Sequence, residues 1–201
     1  MELLPLLLLI AVGVFMLKKN EQRKRITLLG KQLGHFQIEK LMENLTSGYL
    51  RALGEGDPER REQVWRHLNT AEAQLCEQFD KFCAEFSRLD EADTRVSTLA
   101  LAVPYAASWF PQATFDFREA LAIHMRGITE AANNLQQRTS KEKAFTLSAE
   151  LYLMQHSCHW FCNSKAIASA RLMARHQTTL AQVLASVAPE TRAAYLALTG
   201  S

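Results

Sequence analysis

The apolar positions of this chain recur at spacings of three and four along most of its length, the period of helices that bury one face. After Gly54 and the turn-like EGDP, Asp57-Pro58 supplies an N-cap acid and a proline at the first helical position. The apolar residues that follow are Val64, Leu68, Ala71, Leu75, Phe79, Phe82, Phe86 and Leu89. Such a stripe builds either the core of a bundle or a seam for a partner helix, and without ordered flanking charges it reads as bundle core. Val64, Leu68, Leu75, Phe79, Phe82 and Phe86 are its candidate packing or partner residues. Upstream, Leu29, Leu33, Phe36, Met42, Leu45, Tyr49 and Leu53 continue one helical pattern from Ile26 to Gly54. Downstream, helices are predicted over about Phe115–Gln137, Ser140–Cys162 and Ser164–Val187, with a short one from Pro189. No stretch alternates with strand period between hairpin signals. The pattern predicts an all-α protein.

Two segments break the amphipathic pattern. Leu3 to Leu17 reads LLPLLLLIAVGVFML, without a charge or a strongly polar side chain. As a helix it covers about 22 Å, against about 30 Å of hydrocarbon in a bilayer, and Met1 and the stems of Lys18 and Lys19 extend it. An n-region of Met1-Glu2 and the following FMLKKN lack the basic start and small-residue cleavage site of a secretory signal. The expectation is an uncleaved transmembrane helix over residues 1–19. Val96 to Phe115 is likewise uncharged, but Pro104, Pro111, Ser97, Thr98, Ser108 and Gln112 favour a buried, proline-kinked helix. A membrane-dipping segment with Tyr105, Trp109 and Phe110 at the interface is its rival.

Charge sharpens the first of these. Formal net charge is only +2, yet Lys18, Lys19, Arg23, Lys24 and Arg25 form one run opposed by Glu21 alone. Placed after an apolar span, the run sets topology: N-terminus out, remainder in the cytoplasm, single-pass in the inner membrane. It also suits anionic headgroups. A global field for nucleic acid is absent, so a lipid bilayer and a protein partner or second copy are the expected partners, and nucleic acid is not. The organisation expected is an anchor over 1–19, a juxtamembrane run and first bundle helix over 20–54, and a helical bundle over 55–201. Altogether this makes a transmembrane helix continuing into a soluble bundle of about five to seven helices.

Candidate chemistry is concentrated in HSCHWFC, His156 to Cys162. On a helix Cys158 and Cys162 share a face with Ala144, Leu147, Leu151 and Met154, where a thiol packs as a small hydrophobe. Zinc is the alternative, with Cys158, His159 and Cys162 as ligands; haem is a weaker one, since no C-x-x-C-H is present. Cys76 and Cys83, seven residues apart on one helix, lie about 10 Å apart along its axis and cannot both join such a site. A redox pair is disfavoured by i, i+4 geometry. Phosphate-binding, dinucleotide, nucleophile-elbow and zinc-protease motifs are all missing. No catalytic residue or cofactor is therefore assigned. The function expected is a membrane-anchored, non-enzymatic interaction or accessory module. The alternatives are a thiol-, metal- or ligand-responsive sensor, using the cysteine cluster or a pocket under the Pro104 helix, and a membrane-bound enzyme.

Overall fold

Local signals delimit the helices of the computed structural model, which describes residues 3–99 and 103–200, the side chains of 3 and 4 excepted. The first helix, α1, runs Leu3–Leu33, and α2 runs Ile38–Gly54. They are separate because Gly34 closes α1, its N–H donating to the Gly30 carbonyl at 2.9 Å. The single helix expected from Ile26 to Gly54 is thus broken at the one residue best suited to end it. In α3, Pro58–Phe86, Asp57 caps the start by accepting from the Glu59 and Arg60 N–H groups. α4 is a single turn, Glu91–Thr94.

The expected kinked helix over Val96–Phe115 is not there. Arg95–Ser97 (β1) and Thr114–Asp116 (β2) pair antiparallel with Val96 opposite Phe115, and the four-residue α5, Ala106–Trp109, lies between them. Residues 100–102 of that segment lie outside the described residues. The physical reason is proline: Pro104 and Pro111 each remove a donor and push the preceding residue out of helical space. Val96 and Phe115 are buried, Phe115 sits edge-on to Trp160 at 5.0 Å, and the Trp160 indole donates to the Ser97 carbonyl at 3.0 Å.

The remaining helices are α6 (Phe117–Asn133), α7 (Ser140–Cys162), α8 (Lys165–His176), α9 (Leu180–Ser186) and α10 (Pro189–Thr199). One helix was expected over Ser164–Val187; it is two, since Gln177 takes a left-handed cap (φ 52°) and Thr179 with Gln182 forms a capping box. The described residues therefore make ten α-helices and one 3-10 turn (Pro111–Ala113), against the five to seven helices expected for the bundle.

α7 lies at the centre, packed against α1, α2, α6, α8 and α9. The main core joins α2, α3, α6 and α7 through Phe79, Phe82, Phe86, Phe117 and Phe161, the last two stacked at 4.5 Å. α2 and α3 approach closely at Gly48, where a Cβ would stand 2.4 Å from Leu68 Cδ2. A second core of Ile123, Leu153, Leu172, Val183 and Tyr195 seats α8, α9 and α10.

One expectation falls outright. Among the described residues no helix is long and apolar enough to cross a membrane. The apolar side chains described on α1 run only from Pro5 to Leu17, about 20 Å of helix against the about 30 Å needed, and Lys18, Lys19 and Glu21 follow at once. Leu3, Leu4 and Met1, which lengthened the predicted span, lie outside the described side chains. With the transmembrane helix go the single-pass topology, the N-terminus-out orientation and the inner-membrane placement that rested on it.

Candidate functional site

α1 has two unlike halves. On the inner half, Lys18, Glu21, Gln22, Arg25, Leu28, Leu29, Gln32 and Leu33 are half-buried or buried at spacings of three and four, the face turned to α3 and α7. Arg25 fastens this half. Its guanidinium donates to the Phe161 carbonyl (3.2 Å), the Arg95 carbonyl (3.1 Å) and Glu21 Oε1 (2.9 Å), and it lies over the Phe161 ring at 5.6 Å. One member of the predicted basic run is therefore a structural pin. Lys18 is half-buried, while Lys19, Arg23 and Lys24 are exposed.

The outer half is exposed throughout. Every residue from Pro5 to Leu17 is exposed, with Leu8 67 % and Leu9 69 % accessible. Five consecutive apolar residues, Leu6 to Ile10, point around the whole circumference of a helix that turns about 100° per residue. No polar face exists to turn to water.

A second set of exposed apolar groups meets the base of this arm. Glu21 Oε2 accepts from the Tyr105 N–H at 2.9 Å, tying the β1–β2 connection to α1 just below the oily half. Tyr105 is held there in the left-handed region, φ 53°, a conformation that costs a non-glycine residue about 1–2 kcal/mol. Val103, Tyr105, Trp109 and Phe110 are all exposed, Trp109 by 75 %. Between α1, β1 and the end of α7 lies a shallow cleft walled by Lys18, Glu21, Arg25, Ser97, Cys162 and Asn163.

The cysteine cluster is not assembled for metal. Cys158 Sγ contacts Met154 Sδ at 3.8 Å, His159 Nδ1 faces Arg171 Nη1 at 3.1 Å, and Cys162 is buried in the cleft wall. Among the described residues no group of three His, Cys, Asp or Glu side chains is placed to hold a metal ion. Burial pushes the Cys162 thiol up to about 11, that of Cys83 to about 12, and Cys158 higher still. Thiols held protonated in this way are poor nucleophiles. All four cysteines are unpaired. The α3 stripe is likewise internal: Leu68, Leu75, Phe79, Phe82 and Phe86 are buried and Val64 is half-buried against the same core.

Sequence reasoning missed a set of buried polar groups around α7. His124 Nε2 lies 2.8 Å from Ser157 Oγ, which donates to the Leu153 carbonyl (3.1 Å) and stands 3.4 Å from the Tyr195 hydroxyl. His156 Nε2 meets Ser169 Oγ at 3.1 Å. Burial holds His124 down at about 3 and His156 at about 4, so both are neutral. Ser157 is fully buried, so this serine–histidine pair has no opening to a substrate. Glu150 accepts from the Ala188 N–H at 2.9 Å, and burial raises its carboxyl to about 7. Glu72 joins α2, α3 and α7, accepting from Tyr49 at 2.6 Å and pairing with Lys143. Only tertiary contacts create these groups; no spacing in the sequence announces them.

Comparison of the chain with protein-family models, curated proteins and solved structures gives no match. Function has to be argued from the molecule itself.

Proposed function

We propose that this chain is a non-enzymatic docking module, a helical bundle that holds the outer half of α1 away from itself as an arm. One observation carries the reading: Pro5 to Leu17 are exposed on every side, while the same helix is pinned to the bundle from Glu21 onward. Exposed apolar surface larger than a few hundred Å² on a monomer marks an interaction site. A pinned root gives the arm a fixed direction, so whatever covers it is brought to a set distance from the bundle. The bundle then serves as the accessory part.

The arm's need for cover supplies the test. Without a partner the full chain is expected to sediment as assemblies in plain buffer and to become monodisperse in non-ionic detergent micelles. A Leu7→Asp, Leu9→Asp, Val12→Asp variant should be monodisperse in both, with an unchanged helical spectrum. A full chain that is monomeric in plain buffer and binds neither micelles nor vesicles sinks the docking-arm reading.

A further inference from the structure

The arm narrows its own occupant. A protein groove covers one face of a helix and leaves the opposite face in water, which suits an amphipathic segment. Leu6 to Ile10 offer no face to leave out, and Gly13 has nothing within 4 Å of where its Cβ would be. A helix that is apolar all round is matched by surroundings that are apolar all round: the interior of a large protein, or acyl chains. A second copy of this arm would cover only part of it.

The collar at its root points to the second of these. Immediately after Leu17 come Lys18 and Lys19, then Arg23 and Lys24 one turn further. Lys19 leans over the Phe15 ring at 5.6 Å, its stem along apolar surface and its ammonium at the boundary. The acid nearest them, Glu21, is engaged by Arg25 and Tyr105, so the cations facing outward keep their charge uncompensated by it. Tyr105 is held beside Glu21 of this collar, and Tyr105, Trp109 and Phe110 of the same connection are exposed. An apolar outer half followed by a collar of basic and aromatic side chains matches a lipid interface, with acyl chains first and then the headgroup region with its phosphates.

We infer that the arm docks on a lipid surface of net negative charge. The outer half of α1 enters the facing leaflet as far as Leu17, Trp109 and Phe110 rest at the headgroup boundary, and Lys18, Lys19, Arg23 and Lys24 lie among phosphates. The described apolar helix, about 20 Å long, is shorter than the about 30 Å of bilayer hydrocarbon. This rests on the docking-arm reading and adds its partner.

The test is flotation of the full chain with vesicles of phosphatidylcholine alone or with one-third phosphatidylglycerol. The expected result is partition into the anionic vesicles, weakened by salt. Lys18→Gln with Lys19→Gln should weaken it by about thirty-fold, from about 1 kcal/mol per basic residue at such a surface. Leu8→Asp with Leu9→Asp should abolish it. Trp109 fluorescence, taken as the difference from a Trp109→Phe variant, should be quenched by lipids brominated near the headgroup. Equal flotation with neutral vesicles, unmoved by the lysine changes, overturns the anionic surface. No flotation, from a chain whose self-association is lost in the Leu8→Asp, Leu9→Asp variant, makes a second copy the occupant. That outcome overturns this proposal and leaves the docking arm standing. Neither flotation nor self-association removes both.

Discussion

Two helices of this protein carry apolar side chains on several sides, and they meet opposite fates. α7, from Ala144 to Cys162, buries Leu147, Leu151, Leu153, Met154, Trp160 and Phe161 on several sides. It does so because α1, α2, α6, α8 and α9 surround it. The outer half of α1 is an unbroken apolar run, and every residue of it from Pro5 to Leu17 is exposed. Apolar residues on several sides of a helix therefore specify only that it needs apolar surroundings there. What supplies them is decided elsewhere, by whether flanking segments can wrap it. Short loops and capped turns fold α6 and α8–α10 back onto α7, whereas only the inner half of α1 packs against the bundle.

The difference is breakable first at α7. Leu151 is fully buried in the main core. Leu151→Ala removes its transfer energy and leaves a cavity, and unfolding in urea should show a loss of about 3–4 kcal/mol. A loss below about 1 kcal/mol would mean that the wrap around α7 is loose.

Enclosure also imposes a pH dependence that the arm cannot have. His124 and His156 are depressed by burial to about 3 and about 4 from an ordinary 6.5, so their contribution is present above pH 6.5 and lost as pH falls. Glu150 is raised by burial to about 7 from 4.5, so its contribution is present below pH 4.5 and lost as pH rises through 7. Between pH 4.5 and 6.5 the two histidines take up two protons on unfolding and Glu150 releases one, for a net uptake of one. Stability from these groups should then fall by about 3 kcal/mol over those two pH units as the solution is acidified, at about 1.4 kcal/mol per proton and pH unit. Glu150→Gln removes the opposing group and should steepen the fall to about two protons. Urea unfolding at stepped pH reads this directly. Parallel profiles for the two proteins would show that Glu150 is not the opposing group.

What the sequence discloses of all this follows from how far its signals reach. Asp57-Pro58 and Gly54 are local and chemical, and the helix ends stand where they predict. Ser140–Cys162 was bounded by the same kind of reasoning and is α7. The break at Gly34 was also written, but the spacing Leu29, Leu33, Phe36 runs through it and the period overrode the stop. Thr179 and Gln182 spell a capping box inside what reads as one helix. The β1–β2 pair is harder: three residues a strand carry no usable alternation, and their pairing depends on Phe115 meeting Trp160 from 45 positions away. Of the site, the oily run and the lysines after it were legible because both are contiguous. That Arg25 belongs to the bundle, and that Tyr105 is tied to Glu21, depend on contacts 136 and 84 residues apart. The transmembrane reading failed at the point where length mattered and composition could not decide it.

The smallest effect is the most discriminating. Leu8→Ala is the same chemical change as Leu151→Ala, made on a side chain that is 67 % exposed. Folding the bundle moves Leu8 from water to water, so there is no transfer energy to lose and no cavity to leave. Alanine is also the better helix former, by a few tenths of a kcal/mol. Urea unfolding, measured with non-ionic detergent present in both arms to keep the chain monodisperse, should therefore change by less than about 0.5 kcal/mol. A loss above about 1 kcal/mol would mean that the arm packs on the bundle, and the two helices would then differ in degree and not in kind. Near-identity with the unsubstituted chain would place the whole worth of that leucine outside the folding reaction, in the contact it makes with whatever covers it.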